Sequence, residues 1–212
     1  MKKILLLVAL CTSVLLAGCG KSDVQTCSLT ELTGNSCTDA SSQSSVPSST
    51  ALGTAKLILQ SLKDNDLPIL ATFVGLQGVR FSPYAYVNTG TDIVLSSDEI
   101  KNGLAISRSY TWGAFDGSGE PIDLGIGQYF ERFVYDLDFL NAPEIVENQE
   151  VMRGNIINNA FNVYQGKYIV EFYIPGIDPK YDGMDRRSLT LVLEKTDEKR
   201  YLIGIIHNQR TI

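Results

Sequence analysis

The chain is predicted to be α+β, with N-terminal helices packed on a curved antiparallel sheet. Leu52, Ala55, Leu59 and Leu62 recur at helical spacing. Residues 188–195 alternate strictly, with Leu189, Leu191 and Leu193 on one face. Helical signals come first and strand signals close the chain, which is the order of an α+β domain.

The chain opens with Lys2 and Lys3, and residues 4–16 are apolar except for Thr12 and Ser13. The run is about 14 residues long, short of the ~20 that a membrane-spanning helix needs. A charged start, a short apolar middle and a small-residue end make a cleavable secretory signal. Leu16-Ala17-Gly18-Cys19 closes it. This resembles the lipobox of bacterial lipoproteins. The resemblance implies that residues 1–18 are removed and that Cys19 carries the lipid, acyl chains such as palmitate. It also implies an address: the outer face of the cell membrane, or the outer membrane if the host has two, since Gly20 rather than Asp follows Cys19. More than one acyl chain is needed for stable anchoring, because one alone binds marginally.

Residues 19–49 read as a tether. They are rich in serine and threonine, and too few apolar residues are present to fold. Cys27 and Cys37 lie here with nine residues between them. An exported chain makes a disulfide between them plausible, and two free thiols are the alternative. Two ligands of one type do not complete a zinc shell.

Residues 50–212 are expected to form one domain, a size that suits a single core. Ser49 or Thr50 caps the first helix, and Asn65-Asp66 breaks it. Asp66 caps a second short helix over 68–74, with Pro68 tolerated in its first turn. Residues 79–87 are extended or loop, since Pro83 rules out a central strand. Ser96 and Glu99 form a capping box and open a short helix. Residues 107–116 read as a strand and Gly117-Ser118-Gly119 as its turn. A helix is expected over 127–140 and another over 155–164. Residues 167–174 form a strand ended by Pro175-Gly176. After a loop rich in Asp, Pro and Gly, residues 188–195 turn at 196–199 and return as 201–208. Tyr201, Ile203, Ile205 and His207 then share a face.

Composition excludes some partners. Without Lys2 and Lys3, 16 basic groups face 24 acidic ones, a net charge of −8. Such a chain repels nucleic acid and anionic head groups. The single histidine and the absence of HExxH, CxxC, GxSxG and phosphate-loop patterns leave no familiar catalytic signature. No cofactor and no metal site are expected. Asp116, Ser118, Glu120 and Asp123 hint at a calcium loop, but position 12 is Gly127 where a glutamate is required, so a tight turn is the better reading. Asp136 and Asp138, two apart, read as a solvated helix face.

The aromatic residues suggest a pocket. Tyr84, Tyr86, Tyr110 and Trp112 cluster in polar, glycine-bearing stretches, and tyrosine and tryptophan combine a flat apolar face with a polar tip. Arg80 could serve an anionic group, and His207 could act at the pocket mouth. The alternative is that these aromatics simply pack the core.

Element order and the closing pair LTLVLEKTDEKRYLIGIIHNQ resemble the cone-like nuclear-transport-factor-2-like fold. The segments GVRFSPYAYV, YTWGAFDGSGEPI and FYIPGIDPKYDGMD look like those of uncharacterised lipoproteins of low-GC Gram-positive bacteria, although Arg210 stands where an aromatic is expected. That family implies no settled activity. The expectation is a membrane-anchored lipoprotein that binds a small ligand or an envelope protein without catalysis. The alternative is a cone-fold hydrolase or isomerase using His207 with a nearby Asp.

Overall fold

A computed structural model describes residues 50–153 and 156–210. All of them belong to one compact unit. Cys19, Cys27 and Cys37 lie outside the described residues, as do the expected signal and tether.

The fold is mixed α+β, built on a large and mostly antiparallel sheet. Helix α1 (Ala51–Lys63) begins at Thr50, whose side chain accepts from the Gly53 amide. Its buried stripe includes Ala55, Ile58, Leu59 and Leu62, the spacing that a helix against a core requires. Asp66 caps α2 (Leu67–Ala71) by accepting from the Ile69 amide. The Ser96–Glu99 capping box opens α3 (Ser97–Lys101).

The six-stranded sheet runs β2-β1-β8-β7-β6-β5. Its strands are β1 (Val79–Ser82), β2 (Ile93–Leu95), β5 (Glu144–Glu147), β6 (Tyr168–Ile174), β7 (Arg187–Thr196) and β8 (Lys199–Gln209). The central hairpin β7–β8 matches the alternating pattern at the end of the sequence. Strand β1 lies inside the sheet, antiparallel to β2 and parallel to β8. Pro83 therefore ends an interior strand at Ser82 rather than excluding one.

A bulge changes the face assignment on β8. Val192 pairs with Gly204, but Leu193 pairs with Leu202, leaving Ile203 as the extra residue. Leu202, Ile205 and His207 consequently stay on the face of Leu189, Leu191 and Leu193. Ile203 packs with Val192 and Ile206 on the other face. The expected single face of Tyr201, Ile203, Ile205 and His207 is thus split at the bulge.

Both faces are covered, which is why residues 188–193 of β7 are buried without alternation. The helices cover the first face. The second is covered by Val87 and by Ala160, Val163 and Tyr164 of α5 (Ala160–Val163) and its end. Asn159 fixes this layer: its side chain accepts from the Val87 amide at 2.7 Å and donates to the Val87 carbonyl at 2.9 Å.

A second, two-stranded sheet pairs β3 (Ser109–Ala114) with β4 (Pro121–Gly125). The stretch that hinted at calcium is the turn of this hairpin, with Gly117 and Gly119 at φ of 86° and 74°. Helix α4 (Ile126–Phe133) follows and is shorter than expected. Residues 134–138 leave the helix, and a 3₁₀ turn forms at Phe139–Asn141. Two long-range contacts go with the early stop: Asp138 accepts from Lys63 of α1, and Asp136 is drawn to Arg187 on the sheet. Local bonds from Tyr135 and Asn141 to Asp138 shape the turn that follows. Ring packing centres on Trp112, stacked on Tyr129 at 3.7 Å, with Phe81 edge-on at 5.7 Å.

Candidate functional site

The end of the sheet where β1 and β8 finish and β7 begins collects the polar chemistry. His207 of β8 faces the core and is wholly buried. Its ring lies edge-on to Phe133 of α4, with centroids 5.8 Å apart. His207 Nε2 sits 3.2 Å from Asp136 Oδ1, and Arg187 Nε donates to Asp136 Oδ2 at 3.0 Å. Arg187 is placed by β7, and its guanidinium also donates to the Asp185 carbonyl at 3.2 Å. Burial alone would raise the Asp136 carboxyl. Hydrogen bonds from His207 and Arg187 outweigh that and hold it below its ordinary value. An ionised Asp136 only accepts, so Nε2 carries the proton and donates. His207 Nδ1 is buried with no hydrogen-bond partner among the described residues.

Asp136 and Arg187 open onto a polar groove of about 520 Å³, also lined by Gln128, Glu131, Arg132 and Gln209. A wider groove of about 670 Å³ lies beside it, lined by Tyr84, Tyr86, Phe115, Ile156, Ile157 and the β3–β4 turn. Arg132 joins them: it lines the first groove, and its guanidinium stands 5.0 Å over the ring of Phe115, which lines the second. Tyr86 and Ile157 are exposed apolar surface in the wider groove.

The structure separates the residues expected to share a pocket. Tyr84 and Tyr86 line the wider groove, and the Tyr84 hydroxyl accepts from the Asp116 amide at 3.0 Å. Trp112 is core, with no exposed surface and its indole N–H bonded to the Leu124 carbonyl at 2.9 Å. Tyr110 is buried beside it, 5.5 Å between ring centroids. Arg80 works as a loop clamp, donating to the carbonyls of Thr89 and Asp92 at 3.2 Å each. His207 lies behind Asp136 rather than at a pocket mouth. Asp136, read from the sequence as solvated, has a side chain only 16% exposed. No local signal marked it, because its partners are 51 and 71 positions away.

A third groove, also about 670 Å³, lies at the hairpin end of β7 and β8 and is lined by Leu76, Asp98, Glu194 and Tyr201. Lys167 already pairs with Glu194 there. No three His, Cys, Asp or Glu side chains converge as a metal site among the described residues. No helix among them is long and apolar enough to cross a membrane.

No family model matches the chain, and no curated protein matches it. The chain is similar to a solved structure from Xanthomonas campestris described as a calcium/calmodulin dependent protein kinase II association domain. Identity is 15%, coverage is 74% of this chain and 84% of the other, and the TM-score is 0.31. An overlap that loose carries no argument about role.

Proposed function

We propose that this protein is a membrane-anchored extracytoplasmic lipoprotein whose cone-like, nuclear-transport-factor-2-like domain is a non-catalytic binding module. The lipobox at Cys19 and the tether support the address. The pair of adjoining grooves at one end of the sheet supports the role. A small ligand or a segment of an envelope protein meets the domain there, between Tyr86 and Arg132.

The observation that carries the choice of binding over catalysis is the burial of His207. A general acid or base has to reach the atom it serves. His207 has no exposed surface, and its Nε2 faces Asp136. The alternative, a hydrolase or isomerase, rests on that same His207–Asp136 contact. A His207→Gln variant tests it: loss of a measured hydrolase or isomerase activity, with the fold intact, would favour the enzyme.

The binding reading is tested by thermal shift and native mass spectrometry of the full chain against a panel of sugars, peptides and small acids. Tyr86→Ala and Arg132→Gln serve as controls. A ligand whose shift disappears in both controls supports the module. A panel that leaves the melting temperature and the mass unchanged removes the small-ligand form of this reading. The anchor is tested by Cys19→Ser, which should move the protein from the membrane fraction to the soluble one.

A further inference from the structure

The polar groove beside Asp136 has a composition that the binding reading alone does not explain. Its charged lining is balanced: the guanidiniums of Arg132 and Arg187 against the carboxylates of Glu131 and Asp136. The placement of Asp136 and Arg187 is fixed by their hydrogen bonds. Asp136 is held from behind by His207 and from the side by Arg187. Keeping that carboxylate in place requires a buried imidazole whose Nδ1 has no partner, and a buried unpaired polar atom is costly enough to ask what it supports.

Arg132 is also placed in advance. It rests over the rings of Phe115 and Phe133, at 5.0 and 5.6 Å. No ion pair joins Arg132 or Glu131 to another described residue. An exposed guanidinium parked on two aromatic rings keeps its N–H edge open to an acceptor, and little rotamer freedom is left to lose on binding. The groove thus offers a cation and an anion, each already positioned, in about 520 Å³.

We propose that this groove takes a small zwitterion: one molecule bearing both an ammonium and a carboxylate, as in a free amino acid or a short peptide. Arg132, with Arg187 beside it, receives the carboxylate in the forked geometry that guanidinium and carboxylate share. Glu131 and the remaining lone pairs of Asp136 receive the ammonium. A ligand with one charge would make only one of the two charge-assisted contacts, so it should bind more weakly. This assignment rests on the reading of the domain as a binding module.

The test is a calorimetric titration of the full chain in detergent with glycylglycine, acetate, methylammonium and the uncharged N-acetylglycinamide. Glycylglycine is expected to bind, with the other three at least about tenfold weaker, the scale of a lost charge-assisted hydrogen bond. Arg132→Gln and Glu131→Gln both alter exposed side chains outside the core, and each should weaken glycylglycine by a similar factor. Equal binding of acetate overturns the zwitterion in favour of a simple anion site. Equal binding of N-acetylglycinamide overturns any role for charge. Absence of glycylglycine binding, while another compound binds and depends on Tyr86, overturns the zwitterion and leaves the binding module standing.

Discussion

His207 Nε2 lies 3.2 Å from Asp136 Oδ1, across 71 positions of sequence, and ties the segment after α4 to the last strand of the sheet. Asp136 also takes Arg187, so one carboxylate holds two groups on two neighbouring strands. Asparagine would keep one oxygen and turn an NH2 toward the other donor, so either the mostly buried Arg187 guanidinium or the fully buried His207 imidazole loses its acceptor, and the charge facing Arg187 is lost. Asp136→Asn should cost about 2–4 kcal/mol at neutral pH, read as a lower urea midpoint. An unchanged midpoint would mean that the contact holds nothing together.

The same contact sets a pH dependence. The Asp136 carboxyl is held below its ordinary value in the folded state. Its contribution is therefore complete above the unfolded value, near pH 4, and is lost as pH falls through the folded value. Wild type should lose stability on acidification below about pH 4, and Asp136→Asn should lose less over that window. Parallel losses in urea unfolding at pH 5 and pH 3 would assign the acid sensitivity to other carboxylates.

Trp112 is expected to behave as core rather than as a ligand platform. It is fully buried and stacked on Tyr129 at 3.7 Å. Trp112→Ala should cost about 3–5 kcal/mol, while Tyr86→Ala, at an exposed position, should leave the unfolding midpoint nearly unchanged. Equal stability of the two variants would contradict this placement.

Gly78 is required by backbone conformation. Its φ is +74°, and an added Cβ would lie 2.6 Å from the Leu95 carbonyl oxygen. The turn into β1 and the pairing of β1 with β2 both depend on it. Gly78→Ala should destabilise by more than about 1 kcal/mol. A neutral outcome would show that this turn relaxes freely.

Asn159 carries the layer on the second sheet face through its two bonds to Val87. Asn159→Ala should raise amide exchange at Val87 by roughly tenfold or more, the effect of losing one to two hydrogen bonds. Exchange there should rise before exchange in β7. Unchanged exchange at Val87 would show that the apolar contacts of Ala160 and Tyr164 hold the layer alone.

The sequence revealed what is local. Thr50, Asp66 and Ser96 could be read as caps because a cap and the amides it serves lie within three residues. The β7–β8 hairpin was legible for the same reason: its partners follow each other. Strands β2, β4 and β5 were not legible, being only three to five residues long and lacking a pattern of their own. Each is a strand because of what it pairs with. The bulge at Ile203 left no sequence mark, yet it reverses the face of Tyr201 and Ile203 relative to His207. The site followed the same rule. The sequence points to a histidine with a nearby aspartate, but the two-residue spacing of Asp136 and Asp138 on an expected helix implies a solvent-facing carboxylate, and α4 has already ended at Phe133. Trp112 and Tyr110 sit among glycines and polar residues, a context that suits a pocket wall and a buried β-strand equally.

The binding module is tested most directly by placing a photo-reactive side chain at position 86, 132 or 198 of the full chain in cells and recording intact masses after illumination. Binding at the groove end of the sheet predicts a discrete added mass from positions 86 and 132 and none from Glu198, in the turn at the opposite end. No adduct at 86 and 132, or the same adduct at all three positions, would contradict a binding site there.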